Sequence, residues 1–263
     1  MMPRSWWTSK KQLLGIGLLG LFLLTPLPAI AADLAAIQQR GRLVVGIKDN
    51  SRPLGFMDRN GQLQGFEIDI ARRLAQELLG RPDALVLQPV LNQERLPSVI
   101  DGQVDLAIAR MTLTPARLRI VNFSIPYYTD GTVLITRDLK LRSAPDADSA
   151  TIAVLNNSKT VEIIRDRFPN ATLVGVDSYQ AAKAVLEQGR ALAFAADVSV
   201  LTGWVQEFPE YRLLSPMLSF EPLAIALPKG KQYEPLRQRI NTVLQQWQAE
   251  GWLRERATFW GLP

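Results

Sequence analysis

Leu43-Val44-Val45-Gly46-Ile47 is an unbroken apolar stretch of strand length, and Glu67 to Leu79 follows it with helical spacing. Ile68, Ile70, Ala71, Leu74, Ala75 and Leu78 fall on one helix face, and Gly80 closes the segment. Leu85-Val86-Leu87 is strand-like again. Buried strand, amphipathic helix, buried strand is the repeating unit of an α/β fold with largely parallel sheets. A short hairpin with an Asn60-Gly61 turn is predicted between the first strand and the helix. The pattern continues with a short helix from Arg95 to Ile100, ended by Gly102, and a buried strand from Val104 to Ala109. Thr114-Pro115 then starts a helix, with Thr114 as its cap and Pro115 at the first helical position.

A second series begins later. Strands are predicted at Thr151 to Leu155, Thr172 to Gly175 and Ala191 to Ala195. Helices are predicted at Lys159 to Phe168, Tyr179 to Gln188 and Val198 to Phe208. Between the two series lie Asn122-Phe123-Ser124-Ile125-Pro126-Tyr127-Tyr128 and a polar stretch from Leu139 to Ser149. Leu223 to Leu227 is one more strand, and amphipathic helices fill Tyr233 to Glu250 and Trp252 to Trp260. Two α/β lobes joined near Tyr128 to Gly131 is the economical reading. Such proteins bind ligands where the loops at strand C-termini converge.

The N-terminus carries an address. Arg4, Lys10 and Lys11 precede an apolar run from Leu13 to Leu24; Pro26 and Pro28 break it, and Ala29-Ile30-Ala31 offers small residues to a signal peptidase. That order is a secretory signal peptide over residues 1–31. An uncleaved anchor needs about 20 apolar residues, more than this run supplies. The 263 residues contain no cysteine and no histidine. Disulfides, thiolate chemistry, zinc sites and Ser-His-Asp triads are therefore excluded, as is a lipid-modified cysteine that would tether an exported protein. A freely diffusing monomer in a Gram-negative-type periplasm is expected. The net charge of +5 includes Arg4, Lys10 and Lys11 and no acid from residues 1–31, so cleavage leaves +2. No basic run with interleaved aromatics is present, which argues against nucleic acid.

Four segments in order carry a family resemblance. Gly65-Phe66-Glu67-Ile68-Asp69-Ile70-Ala71 resembles the G-F-D-x-D-x-A segment of periplasmic solute-binding proteins for polar amino acids, the bacterial extracellular solute-binding protein family 3. Asp101-Gly102-Gln103-Val104-Asp105-Leu106-Ala107 is similar to that family too. So is Met111-Thr112-Leu113-Thr114-Pro115-Ala116-Arg117 followed by Val121 to Tyr128, and so are the C-terminal helices ending in Phe259-Trp260-Gly261. The resemblance implies the bilobal type II periplasmic-binding-protein fold. Lobe 1 would comprise 33–127 plus 223–263, lobe 2 132–219, and the two hinge segments 128–131 and 220–222. It implies capture of a polar L-amino acid by lobe closure and delivery to an inner-membrane ABC permease, with no cofactor, no metal and no catalysis. A dehydratase of the same fold, acting on a cyclic amino-acid precursor, is the rival class. It needs a general acid in the cleft, for which Glu94 and Glu67 are the candidates.

The resemblance also implies roles for single residues. Arg117, five residues after Thr112, matches the arginine that clamps the ligand α-carboxylate, and Thr112 adds its hydroxyl and backbone N–H. Without the motif Arg117 would read as a surface arginine, as nearby Arg119 does. Asp197 matches the aspartate that holds the α-ammonium; the ordinary reading there is a helix N-cap. The backbone carbonyl of Arg110 is a second acceptor.

Glutamine and basic amino-acid binders often carry aromatic walls and an early acid, where this chain has Lys48, Ser51 and Asn92. Asn92-Gln93-Glu94-Arg95 instead resembles the segment of glutamate/aspartate binders that contributes an arginine. With Lys48, Arg110 and Lys159, Arg95 adds cations beyond the one that a single carboxylate needs. Unpaired buried cations are costly, so the excess implies a second ligand carboxylate. The alternative is that Lys48, Arg110 and Lys159 lie at the rim or pair with Asp49 and Glu94. Ser158 and Thr160 follow a strand and read as ligand contacts, with a plain N-cap role equally open for Ser158. Tyr179 either supports the side-chain pocket or caps lobe 2.

Overall fold

The computed structural model describes residues 33–156 and 158–263, so the signal-peptide reading of 1–31 and Asn157 lie outside it. The chain runs α1 (Leu34–Arg40), β1 (Leu43–Ile47), β2 (Asn50–Ser51), β3 (Gly55–Met57), β4 (Leu63–Gln64), α2 (Phe66–Leu79), β5 (Leu85–Pro89), α3 (Arg95–Ile100), β6 (Leu106–Ile108), α4 (Pro115–Leu118) and β7 (Asn122–Asp130). It continues through β8 (Thr132–Thr136), β9 (Thr151–Leu155), α5 (Thr160–Arg167), β10 (Thr172–Val176), α6 (Tyr179–Glu187), β11 (Ala193–Asp197), α7 (Val198–Glu207) and β12 (Arg212–Leu214). It closes with β13 (Glu221–Leu227), α8 (Glu234–Ala249) and α9 (Trp252–Phe259). Among the described residues no helix is long and apolar enough to cross a membrane.

Two five-stranded sheets organise two lobes, in the orders β5-β1-β6-β13-β7 and β10-β9-β11-β8-β12. The helix–strand alternation predicts largely parallel sheets, and both sheets are instead mixed. β1 lies parallel between β5 and β6, but β13 runs antiparallel to β6 and β7. In the second sheet β9 lies parallel to β10 and β11, while β8 is antiparallel to β11 and β12. The antiparallel members are the strands that carry the chain between lobes, so they enter each sheet against its βα direction. β7 escapes a period-based reading because Pro126 interrupts it, and proline is tolerated in a strand at a sheet edge, where β7 lies.

The first lobe is closed by the C-terminal helices. Trp247 of α8 is fully buried, its ring 5.0 Å from that of Trp252 on α9. The Arg73 guanidinium of α2 sits 4.9 and 4.5 Å over these two rings. Asp69 and Asp105 are structural: Asp69 accepts from Arg256 and from the Trp260 indole, and Asp105 from Arg40 and the Val44 N–H.

The chain leaves the first sheet at Asp130 and enters the second at Thr132. A Cβ on the intervening Gly131 would meet the Ser219 carbonyl oxygen at 1.9 Å, so only glycine lets the two crossing segments lie this close. The lobes also touch away from the crossing. A Cβ on Gly203 of α7 would stand 2.4 Å from the Arg52 carbonyl oxygen of the first lobe. The Gln206 side-chain amide donates to the Trp260 carbonyl at 2.7 Å.

Candidate ligand-binding cleft

The C-terminal ends of the parallel strands of both lobes supply the walls of one interlobe cleft. Lys48 follows β1, Asn92 lies just past β5 and Arg110 just past β6; from the other lobe Ser158 and Lys159 follow β9, Tyr179 follows β10 and Asp197 ends β11. Two cavities lie here. One, of about 280 Å³, is lined by Ser158, Lys159, Thr160, Tyr179, Asp197 and Arg110 among others. The second, of about 330 Å³, is lined by Lys48, Asn50, Ser51, Arg52, Asn92, Arg110, Tyr179 and Val200. Arg110 and Tyr179 line both, so they form the shared wall.

Asp197 occupies the N-cap position of α7, yet its carboxylate makes no capping hydrogen bond. Asp130 does that work from the lobe crossing. Its buried carboxylate accepts from the Ser199 N–H at 3.0 Å, the Ser199 hydroxyl at 2.6 Å and the Gly131 N–H at 2.9 Å. Burial pushes the Asp130 carboxyl above the usual aspartate range, and the Asp197 charge adds to the rise against the Ser199 hydrogen bonds. Asp197 is thereby free to face the cleft, where its Oδ2 lies 3.7 Å from an Arg110 guanidinium nitrogen.

Arg110 is the one non-glycine residue with positive φ among the described residues, at 50°. Left-handed backbone costs such a residue on the order of 1–3 kcal/mol and persists only where neighbours hold it. Glu67 of α2, 0% exposed, accepts the Arg110 N–H at 2.7 Å. The Arg95 guanidinium donates to the Arg110 and Ala109 carbonyls at 2.9 and 3.0 Å.

Arg95 therefore turns to main chain and lines neither cavity. Thr112 and Arg117 also lie outside both walls; Arg117 donates to the Thr112 carbonyl at 2.8 Å, and its N–H is capped by Thr114 as the sequence predicts. Burial lowers the pKa of both Arg95 and Lys159, and the Arg117 charge adds a smaller push in the same direction. Burial lowers the pKa of Arg117 itself, and no acid is paired with it among the described residues.

Lys48 is 5% exposed and donates to the Val90 carbonyl at 2.7 Å. Burial lowers its pKa, helped by the Arg95 charge. The alternative pairing of Lys48, Arg110 and Lys159 with Asp49 and Glu94 is not what forms: Lys159 pairs with Glu221 and Arg110 with Asp197, while Glu94 accepts the Leu91 N–H. Ser158 is not the cap of α5, a position held by Lys159; its hydroxyl donates to the Leu155 carbonyl. Tyr179 begins α6 and packs edge-on against Phe194, with ring centroids 5.9 Å apart, and burial raises its pKa. Sequence reasoning missed Arg52, which stacks 3.8 Å over the Phe56 ring on the second cavity's wall. The available signal was its place, four residues after Lys48 in the segment leaving β1.

Glu67 also accepts from the Tyr127 hydroxyl at 2.5 Å, and its second oxygen has no partner. Burial raises its pKa, against the hydrogen bonds from Tyr127 and Arg110 that favour the anion. The folded chain thus holds the Glu67 proton more tightly than the unfolded chain does. That contribution is complete below the ordinary glutamate range and is lost as pH rises through the raised native value. Glu67→Gln keeps a neutral acceptor in place. It should flatten the melting-temperature curve above about pH 4.5, the ordinary value from which Glu67 is raised. Parallel curves for the two proteins would show that Glu67 does not carry the proton.

Comparison with known proteins agrees with this architecture. The chain is 29% identical over 221 residues to the ABC transporter glutamine-binding protein GlnH of Bacillus subtilis, covering 83% of this chain and 80% of that one. It is 32% identical over 199 residues to the glutamine-binding protein of Geobacillus stearothermophilus, covering 74% and 76%. Among solved structures, an ancestral cationic amino acid solute binding protein superposes with a TM-score of 0.73 at 28% identity, over 86% of this chain and 98% of that one. The model of the bacterial extracellular solute-binding proteins, family 3, matches residues 43–263. With two mixed sheets meeting at a charged interlobe cleft, the chain belongs to that family.

Proposed function

We propose that this protein captures a polar amino acid with an acidic side chain between its lobes and delivers it to an ABC-type importer of the inner membrane. It would work in the periplasm as a monomer once residues 1–31 are removed. The hinge would be 128–131 and 220–222, between lobe 1 (33–127 plus 223–263) and lobe 2 (132–219). The observation that carries this reading is Asp197: a carboxylate relieved of capping, facing the Arg110 guanidinium of the opposite lobe. A zwitterion needs one anion for its ammonium and one cation for its carboxylate; Asp197 would serve the first, and Arg117, half-buried without a paired acid among the described residues though outside both cavity walls, would serve the second.

The relatives named above bind glutamine or cationic amino acids by their descriptions. The second cavity supports a different side chain here. Lys48, Arg52 and Arg110 line it with Asn50, Ser51 and Asn92, and no acid is among its described lining residues. A cationic side chain would be repelled there, whereas a carboxylate would be neutralised.

A carrier is favoured over a dehydratase. Glu67 is fully buried beneath Arg110 and engaged by Tyr127, and the Glu94 carboxylate is engaged by the Leu91 N–H. Neither is poised to give a proton to a ligand.

A thermal-shift screen of the twenty amino acids on the mature protein tests the reading. Aspartate or glutamate at 100 times its dissociation constant should add about 2.7 kcal/mol of stability. For a protein of this size that is a rise of roughly 5–10 °C. No shift with any amino acid would reject it.

A further inference from the structure

Arg110 holds the place that a ligand ammonium would need. Its guanidinium already pairs with Asp197 across the lobes, and it lines both cavities. Its main chain is pinned on both sides, the N–H by Glu67 and the carbonyl by Arg95, in a left-handed conformation. The anchored Cα leaves a long, flexible side chain at the junction of the two cavities, with both ends of the cleft in reach.

We propose that Arg110 is an exchangeable counter-ion that sets the selectivity of the site; this rests on the amino-acid reading above. A ligand ammonium that takes Asp197 releases the Arg110 guanidinium. The released cation then stands beside Lys48 and Arg52, which line the second cavity without an acid among its described lining residues. Three cations sharing one partly buried space need an anion. A ligand carboxylate in the second cavity supplies it, and an amide of the same length does not. Arg110 thereby couples the two ends of the ligand: occupation of Asp197 by an ammonium is favourable when a second carboxylate receives the displaced guanidinium. Selection against glutamine comes from a cation left without a partner rather than from shape.

Calorimetric titration of aspartate, glutamate and glutamine into the wild type, Arg110→Gly and Arg110→Lys tests this. Glycine suits the left-handed backbone, so Arg110→Gly removes the charge without strain, and thermal melts confirm that each variant is folded. The wild type should prefer the better acidic ligand over glutamine by tenfold or more. Arg110→Gly should reduce that ratio at least tenfold, mainly by weakening the acid, and Arg110→Lys should restore part of it. An acid-to-amide ratio unchanged in Arg110→Gly overturns the exchange role while leaving amino-acid capture intact. Failure of the wild type to bind aspartate or glutamate overturns the acidic-ligand reading on which the exchange rests.

Discussion

Arg117→Ala should weaken amino-acid binding by about 2–5 kcal/mol, a loss of 30-fold or more, while leaving the melting temperature of the free protein almost unchanged. The size follows from what the side chain does in the fold, which is little. It makes one hydrogen bond, to the Thr112 carbonyl, and no acid is paired with it among the described residues. Burial already disfavours its charge, and Lys159 nearby carries the same sign. A half-buried cation without a counter-ion contributes little to the empty protein and much to an arriving carboxylate, because a guanidinium donates two parallel charge-assisted bonds. Titration calorimetry of wild type and variant with the best ligand from the thermal screen measures the difference. An affinity within twofold of wild type would remove Arg117 from the site and leave the α-carboxylate to Arg110 or Lys159.

Asp130→Ala should cost about 3 kcal/mol of folding stability, read as a fall in melting temperature of roughly 6–12 °C. The carboxylate is 2% exposed and takes hydrogen bonds from three donors, two of them on Ser199. Alanine leaves those buried donors unpaired and strips the first turn of α7 of its acceptor. A second consequence concerns Asp197. With Asp130 gone, the Asp197 carboxylate at the N-cap position of α7 can take over as acceptor, and turning to that role would withdraw it from the cleft. Ligand affinity should therefore fall together with stability. Asp130→Asn, which retains one acceptor oxygen, should recover part of both. A variant as stable as the wild type would show that Asp130 does not cap α7.

The first lobe's βα order was legible because its periodicities are long and clean, as in the apolar face of α2 and the run of β1. Thr114 and Pro115 were readable as a helix start because capping is local chemistry, and the structure shows the Thr114 oxygen on the Arg117 N–H. Strand direction was not readable: Leu223 to Leu227 is strand-like in the sequence, but only its partners show that β13 runs antiparallel to β6 and β7. β7 contains Pro126, and β8 lies antiparallel between β11 and β12. The cleft divides in the same way. The sequence placed Lys48, Arg110, Ser158, Lys159, Tyr179 and Asp197 at or beyond strand ends, which is where cleft residues arise. Arg95 fits the same description, yet its guanidinium turns to the carbonyls of Asn92, Ala109 and Arg110. A long cation's partner depends on which acceptors the fold leaves open within its reach, and these lie 14 and 15 residues away in two of the three cases.

By itself, the sequence determined the α/β character of the chain, the family, and the excess of basic residues around the strand ends. Those features are local, or repeat over short distances, and survive without knowledge of the fold. Only the tertiary structure decided which charges meet. Asp197 became available to a ligand because Asp130, arriving from the other lobe's sheet, caps α7 in its place, and Arg110 reached Asp197 because Glu67 and Arg95 hold its backbone in a rare conformation. Each of those facts depends on groups far apart in the chain and on the distances between them, which no periodicity or spacing encodes.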